Sequence, residues 1–282
     1  MSAQASGPII DAHTHILPKS FRQNRASYTQ RDRTFEALLA SPKAKIATGD
    51  ELIASMVSAG IDRSVALGYG WTDIEVARES NDYLLDQASG HPDRIVPFCS
   101  VNPAWGDQAL DELRRCADRG ARGIGELHPD TQGYRLSNTK LLEPVMSLAL
   151  ELGLVVLTHS SEPVGHAYPG KGTATPSDLE AFLMGFPENK IVFAHFGGGL
   201  PFYALMPEVK KALKNCYFDT AAASFLYESS IYGQLHPLIG SRLIFGSDFP
   251  LTTQEKALTH LADSDDASTT ASIGAAELLG FE

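Results

Sequence analysis

The stretch IIDAHTH, residues Ile9–His15, decides the fold of this chain, because an apolar run leads directly into an H-x-H pair. If the run is a β-strand, alternate side chains share a face, so His13 and His15 can bind one metal ion from one side. Two histidines supply only half of a usual coordination sphere. The pair therefore predicts that other strands deliver further ligands.

A repeated strand-then-helix pattern continues from this stretch. Regular alternation predicts a parallel sheet with helical crossovers, and about eight units predict closure into a single-domain α/β fold, the (β/α)8 TIM barrel. A doubly wound open sheet is the alternative, but the first strand lacks a Gly-x-Gly-x-x-Gly turn. The predicted strands span residues 8–13, 63–68, 94–101, 121–127, 154–159, 190–195, 217–220 and 242–248.

The predicted barrel covers residues 8–282, and residues 1–7 are expected to form a flexible leader. An irregular segment, residues 16–47, follows the first strand as an insertion. Loops of this length are often functional lids, and a solvated surface insertion is the alternative. Just beyond it, Thr48 and Glu51 have the spacing of a capping box, which predicts a helix.

Composition narrows the range of functions. The chain has 23 Lys and Arg against 34 Asp and Glu, a formal charge of −11, which disfavours nucleic-acid binding. No apolar run approaches the roughly 20 residues of a membrane helix, and the start resembles no signal peptide, so we expect a cytoplasmic protein without a membrane partner. The three cysteines fit neither a disulfide framework nor a zinc ribbon, which predicts buried thiols.

Metal-binding side chains stand at the ends of several predicted strands. Imidazole and carboxylate groups bind zinc and similar divalent ions, and the strand ends of a closed barrel open to one mouth. The convergence predicts a divalent metal site. Its candidate residues are His13 and His15 on strand one, Glu126 on strand four, His159 on strand five, His195 on strand six and Asp248 on strand eight.

The motifs around these residues resemble the amidohydrolase superfamily of metal-dependent barrel enzymes. The branch they are most similar to is amidohydrolase 2, related to aminocarboxymuconate semialdehyde decarboxylase. The resemblance implies that His13, His15, His159 and Asp248 hold the metal, with His195 as an acid/base group or, in two-metal members, a ligand. It rests on residues Asp11–His15, His91–Arg94, Thr158–His159, Ala194–Gly198 and Gly246–Pro250.

Glu126 departs from single-metal members of the superfamily, whereas two-metal members place a bridging carboxylate after strand four. As a bridge it would join an ion at His13, His15 and Asp248 to a second ion. The alternative is that Glu126 orients a ligating histidine or binds substrate. We expect one or two ions, with zinc as the first choice and manganese as the alternative.

The reaction expected from these residues is hydrolysis of an amide, lactone or ester bond in a small substrate. A metal-bound water has a pKa of about 7, Asp248 would take its proton, and His195 would polarise the carbonyl group. The first alternative is non-oxidative decarboxylation of an unsaturated or aromatic acid, by a carboxy-lyase that uses arginines of the insertion. The second is a barrel that binds metal or ligand without catalysis.

Substrate contacts are predicted for His128 and for the loop of residues 160–175. His128 follows Glu126 by two positions and can face the same mouth. In the loop, His166, Tyr168 and Lys171 leave the strand that carries His159, and Lys171 can meet an anionic group. A small molecule is the expected partner, and a homo-oligomer is left open.

Overall fold

The computed structural model describes residues 7–262 and 267–281. In these residues, eight parallel strands form one sheet in chain order, which confirms the predicted (β/α)8 TIM barrel. Of the expected leader only Gly7 is included, and residues 1–6 lie outside the described residues. The strands are β1 (Ile10–His15), β2 (Arg63–Leu67), β3 (Ile95–Cys99), β4 (Gly123–Leu127), β5 (Val155–Thr158), β6 (Ile191–Phe193), β7 (Cys216–Asp219) and β8 (Leu243–Ile244).

The ring closes through the residues that follow the short strand β8. The amide of Ala12 donates to the carbonyl of Phe245 at 2.8 Å, and the amide of Asp248 donates to the carbonyl of His13 at 2.9 Å. Thr14 and Phe249 form a parallel bridge. The ends of β1 and β8 are therefore neighbours, as a shared metal site requires.

Helices surround the sheet. They are α1 (Lys19–Gln23), α2 (Arg25–Arg31), α3 (Arg33–Leu39), α4 (Gly49–Ala59), α5 (Ile74–Gly90), α6 (Asp107–Asp118), α7 (Pro129–Gln132), α8 (Thr139–Glu151), α9 (Pro176–Gly185), α10 (Pro207–Ala212), α11 (Ala223–Leu226), α12 (Ile231–Ile239), α13 (Gln254–Ala262) and α14 (Ala267–Leu279). Segments of 3-10 helix span Pro103–Trp105, Leu213–Asn215 and Gly240–Arg242. The segment His195–Leu205 has 3-10 turns interrupted by left-handed backbone at its start. Within the described ranges, none of the helices has the length and hydropathy of a membrane span.

The segment of residues 16–47 contains the helices α1, α2 and α3 where an irregular loop was expected. Helices of five to seven residues are unstable alone, so their stability comes from packing. Phe21, Tyr28 and Phe35 pack with the fully buried Trp71, which follows β2. Asp32 caps α3, since its Oδ1 accepts from the amide of Phe35 at 2.9 Å. The segment is therefore a small helical subdomain fixed against the barrel.

The amino-terminal end of the barrel is covered by α14. Leu278 and Leu279 belong to one hydrophobic cluster with alternate residues of the strands, such as Ile10 of β1 and Val65 of β2. Lys190 and Arg122, which precede β6 and β4, donate to the carbonyl groups of Leu278 and Leu279. With that end closed, the opposite end is the open mouth.

The three cysteines are buried free thiols, as expected.

Candidate metal centre

One group of potential ligands joins β1 to the residues after β8. The Nε2 atoms of His13 and His15 are 3.1 Å apart, because alternation along β1 points both rings to one side. Oδ1 of Asp248 lies 3.9 Å from Nε2 of His13 and 3.6 Å from Nε2 of His15. All three residues are buried.

A second group joins β4, β5 and β6 around Glu126. Its Oε1 lies 3.0 Å from Nδ1 of His159 and 3.6 Å from Nε2 of His195. Its Oε2 lies 3.8 Å from Nε2 of His13 and 3.6 Å from Nε2 of His15. The two oxygens of one buried carboxylate therefore face the two groups of ligands.

The side chains fit a divalent metal. In each group the ligand atoms of three buried residues lie within 4.8 Å of one another. Ligand atoms about 2.0–2.1 Å from a tetrahedral ion lie roughly 3.4 Å apart, which these spacings approach. Imidazole nitrogens with carboxylate oxygens are a ligand set that zinc and manganese accept. The arrangement supports a divalent metal ion at the mouth of the barrel.

Burial and mutual charge shift the pKa values of these groups. Burial and then the charge of His13 lower the pKa of His15 to about 4. Burial also lowers the pKa of His128, to about 3, with a further contribution from His159. Burial opposes ionisation of Glu126, but the nearby imidazoles outweigh it and hold its pKa well below the usual range. Burial opposes the charged form of His13, but the carboxylate of Asp219 outweighs it and raises the pKa of His13 to about 9. Since metal binds a neutral imidazole and an ionised carboxylate, His15 and Glu126 already have the binding form, and His13 would release a proton on binding.

Two of the groups stand on unusual backbone. His195 has φ of 55° and Asp248 has φ of 62°, a left-handed conformation that costs a non-glycine residue about 1–3 kcal/mol. Such strain persists only where surrounding contacts fix it, and it is typical of functional sites. The ring of His15 is fixed by Tyr69, which stacks on it with ring centres 4.1 Å apart.

Asp219 at the end of β7 is a site residue that the strand-end pattern missed. Its Oδ2 lies 2.8 Å from Nδ1 of His13, and both side chains are fully buried. The residue pairs with a histidine 206 positions away, so only the closed ring brings them together. A carboxylate at the end of a predicted strand was the signal that could have found it.

The predicted substrate residues lie in two places. The ring of His128 stacks on His159 at 4.2 Å, and its Nε2 is 3.8 Å from Oε2 of Glu126, so it belongs to the mouth. His166, Tyr168 and Lys171 lie on the loop after β5. A Cβ atom added to Gly170 of this loop would lie 3.8 Å from Cε1 of His128. The loop therefore passes beside His128.

Contacts within this loop fix its polar side chains. The Lys171 ammonium group donates to the carbonyl groups of Val164 and His166, at 2.6 and 2.9 Å. The Tyr168 hydroxyl donates to Glu162 at 2.9 Å. Lys171 also lies over the Tyr168 ring, with Nζ 5.6 Å from the ring centre.

A family model described as amidohydrolase matches residues 10–277. The chain is 25% identical over 232 residues to 2-amino-3-carboxymuconate-6-semialdehyde decarboxylase of Dictyostelium discoideum, which covers 68% of this chain and 64% of that protein. It is 26% identical over 214 residues to 6-methylsalicylic acid decarboxylase of Penicillium expansum, which covers 62% and 63%. The matched region thus spans less than two thirds of either curated relative.

Solved structures share the architecture. The 5-carboxyvanillate decarboxylase of Novosphingobium aromaticivorans, with bound manganese, has a TM-score of 0.79 at 17% identity and 99% coverage of both chains. The 2,6-dihydroxybenzoate decarboxylase of Rhizobium has a TM-score of 0.72 at 18% identity, covering 97% of this chain and 99% of that one. At these identities, the likeness establishes the fold.

The expected hydrolysis of an amide, lactone or ester bond is wrong, because both curated relatives are decarboxylases. A metal held by histidines and carboxylates can activate water, and it can equally hold the oxygens of a substrate. The ligand residues therefore do not distinguish the two reactions. Glu126, which favoured hydrolysis, lies among the ligands in either case.

Proposed function

We propose, because the chain belongs to the amidohydrolase family, that it is a metal-dependent, non-oxidative decarboxylase of a small aromatic or unsaturated carboxylic acid. The convergence of buried imidazoles and carboxylates at the mouth of the barrel carries the metal-dependent part of the proposal. Two decarboxylases among the sequence relatives support this reaction.

The proposed metal ligands are His13, His15, His159, Asp248 and Glu126. A manganese or zinc ion is expected at the first group, and a solved structure of this fold with bound manganese supports manganese. Glu126 would either help to hold a second ion with His159 and His195, or orient a ligating histidine beside a single ion or bind substrate. When bound, the metal would hold substrate oxygens and stabilise the negative charge that develops on decarboxylation.

Decarboxylation breaks the bond between a substrate carbon and its carboxylate, and carbon dioxide leaves while the electron pair stays on the carbon. That carbon then takes up one proton. We assign its delivery to His195, which lies beside the proposed ligands, or to Asp248, which is itself one of them. Nδ1 of His195 lies 3.0 Å from the carbonyl oxygen of Ala221 and donates to it, so Nε2 faces Glu126 and the mouth.

The substrate side of the mouth is assigned to His128, His166, Tyr168 and Lys171. Two arginines of the insertion are engaged elsewhere, since Arg22 pairs with Glu51 and the Arg25 guanidinium contacts backbone carbonyl groups. Lys171 is the proposed group for a substrate anion, because its loop passes beside His128. We also propose that residues 8–282 form one barrel, with residues 16–47 as an insertion.

A decarboxylation assay tests this function. The protein is treated with chelator, reloaded with Mn²⁺ or Zn²⁺, and given 6-methylsalicylate, 2,6-dihydroxybenzoate and 5-carboxyvanillate in deuterated water. We expect metal-dependent release of carbon dioxide, with one deuterium on the carbon that carried the carboxylate. The variant His13→Ala is the control for metal dependence. Absence of carbon dioxide from all aromatic and unsaturated acids tried, with metal bound, would contradict the proposal.

A further inference from the structure

The proposed function leaves Asp219, a fully buried carboxylate at the end of β7, without a role. We propose that Asp219 is a positioning residue that fixes the tautomer of His13, so that Nε2 of this ring is free to bind a divalent cation. The inference rests on the proposed function, in which His13 is a metal ligand.

The hydrogen bonds of Asp219 use both of its oxygens. Oδ2 lies 2.8 Å from Nδ1 of His13. Oδ1 accepts from the backbone amides of His195 and Ala221, each at 3.0 Å. Neither Asp219 nor His13 is exposed to solvent, so water does not compete for these contacts. The carboxylate is therefore held by two amides on one side and directed at one ring nitrogen on the other.

This geometry determines where a neutral His13 ring carries its proton. A carboxylate accepts hydrogen bonds and donates none, so the proton must lie on Nδ1. Nε2 then has a free electron pair, and it faces Nε2 of His15 at 3.1 Å. A hydrogen bond to the second ring nitrogen of a ligating histidine also fixes the ring and raises its basicity.

The same carboxylate joins the ligand on β1 to the proposed proton donor. By accepting from the amide of His195, it contacts the residue whose φ of 55° is rarely adopted by side-chain-bearing residues. Asp219 therefore sets the position of His13 and of the His195 backbone together. Loss of its charge is expected to affect metal binding before any substrate is present.

The variant Asp219→Asn tests the tautomer directly. The two backbone amides can only donate, so they should select the orientation in which the amide oxygen of Asn faces them. The amide nitrogen then faces Nδ1 of His13 and donates to it, which moves the ring proton to Nε2. We expect the Zn²⁺ affinity of the full chain, measured by calorimetry, to fall about 10–100-fold. Nitrogen NMR of the histidine rings should show the proton transferred from Nδ1 to Nε2.

Two further variants separate this role from a general loss of structure. Asp178→Asn is the matched control, because Asp178 is also buried and accepts from a backbone amide, that of Leu136 at 3.1 Å. Its Zn²⁺ affinity should equal that of the wild type. In a His13→Ala background, Asp219→Asn should cause no further loss of Zn²⁺ affinity, because His195, the other residue that Asp219 holds, is assigned to proton delivery and not to the ion.

The outcomes are distinguishable from those for the proposed function. Unchanged Zn²⁺ affinity in Asp219→Asn, or a further tenfold loss on top of His13→Ala, overturns the positioning role. If Asp219→Asn does not fold, nitrogen NMR of the wild type is the test. A proton on Nε2 of the neutral His13 ring in the wild type overturns the inference. A wild type that binds Zn²⁺ through His13 with the expected tautomer, but releases no carbon dioxide, contradicts the proposed reaction only.

Discussion

Gly246 is required by the close approach of β8 to the metal ligands. A Cβ atom added to this glycine would lie 2.9 Å from Cβ of His13 and 3.3 Å from Cβ of Asp219, and neither atom can move without its backbone. We predict that Gly246→Ala displaces His13 and lowers Mn²⁺ affinity at least about tenfold, as outer contacts of metal ligands do. Calorimetry measures the Mn²⁺ affinity of the variant and of the wild type. Gly233→Ala, where an added Cβ meets no atom within 4 Å, should bind as the wild type does.

Glu126 is the residue whose carboxylate faces both groups of potential ligands. The variant Glu126→Gln keeps the shape of the side chain but removes the charge that faces His15 and His159. We predict at least a tenfold loss of Mn²⁺ affinity, because a neutral amide is a weaker ligand than a carboxylate. Metal analysis of the purified proteins also gives the ion count. A fall from two ions to one indicates a bridge, and unchanged affinity would contradict any role of Glu126 in the centre.

At the scale of single elements, short sequence motifs predicted where a helix begins better than they predicted where helices continue. The capping box is present, since Thr48 and Glu51 exchange hydrogen bonds at the start of α4. Further along the chain, Pro207 begins α10 and leaves Met206 extended, so the helix does not continue from the preceding segment. The residue before a proline avoids helical backbone, so the sequence is sufficient to predict this break. The sequence does not predict the helices of residues 16–47, because their stability depends on packing against Trp71.

Glu112 on α6 links neighbouring elements through a buried carboxylate. It accepts from Arg115 at 2.7 and 2.8 Å and from Asn81 of α5 at 2.8 Å. Burial raises its pKa, but these hydrogen bonds outweigh burial and hold the pKa below its usual value. We predict that Glu112→Gln lowers the free energy of unfolding by about 2 kcal/mol at pH 7, the scale of charged hydrogen bonds.

The pH dependence of this effect has a defined sign. A carboxyl group with a lowered pKa in the folded state stabilises the fold above its unfolded pKa of about 4.5, and this contribution is lost as the pH falls. Urea unfolding at pH 7 and pH 4 should therefore show a smaller difference between wild type and Glu112→Gln at pH 4. Glu75→Gln is the control, because Glu75 is exposed and its pairing with Arg78 contributes little. An equal difference at both pH values would contradict the linkage.

At the scale of the whole molecule, the sequence predicted the barrel and the potential metal ligands at its mouth, but it did not predict the reaction. Alternating elements and polar strand ends placed His13, His159 and Asp248 at one mouth before any coordinates. The role of Asp219 depends on which strands meet when the ring closes. The reaction depends on what the metal would hold, and histidines and carboxylates are suitable ligands for hydrolysis and decarboxylation alike.

The metal should also stabilise the barrel, because its proposed ligands come from β1, β4, β5 and the residues after β8, which are far apart in the chain. An ion that binds only the folded state adds about 2.7 kcal/mol at one hundred times its dissociation constant. For a domain of this size, about 2–4 °C per kcal/mol gives a rise in Tm of roughly 5–11 °C. We predict this rise when Mn²⁺ is added to chelator-treated protein, followed by calorimetry. His13→Ala should lose most of it at the same Mn²⁺ concentration, and a Tm unaffected by Mn²⁺ in the wild type would show that the ligands do not join the strands through an ion.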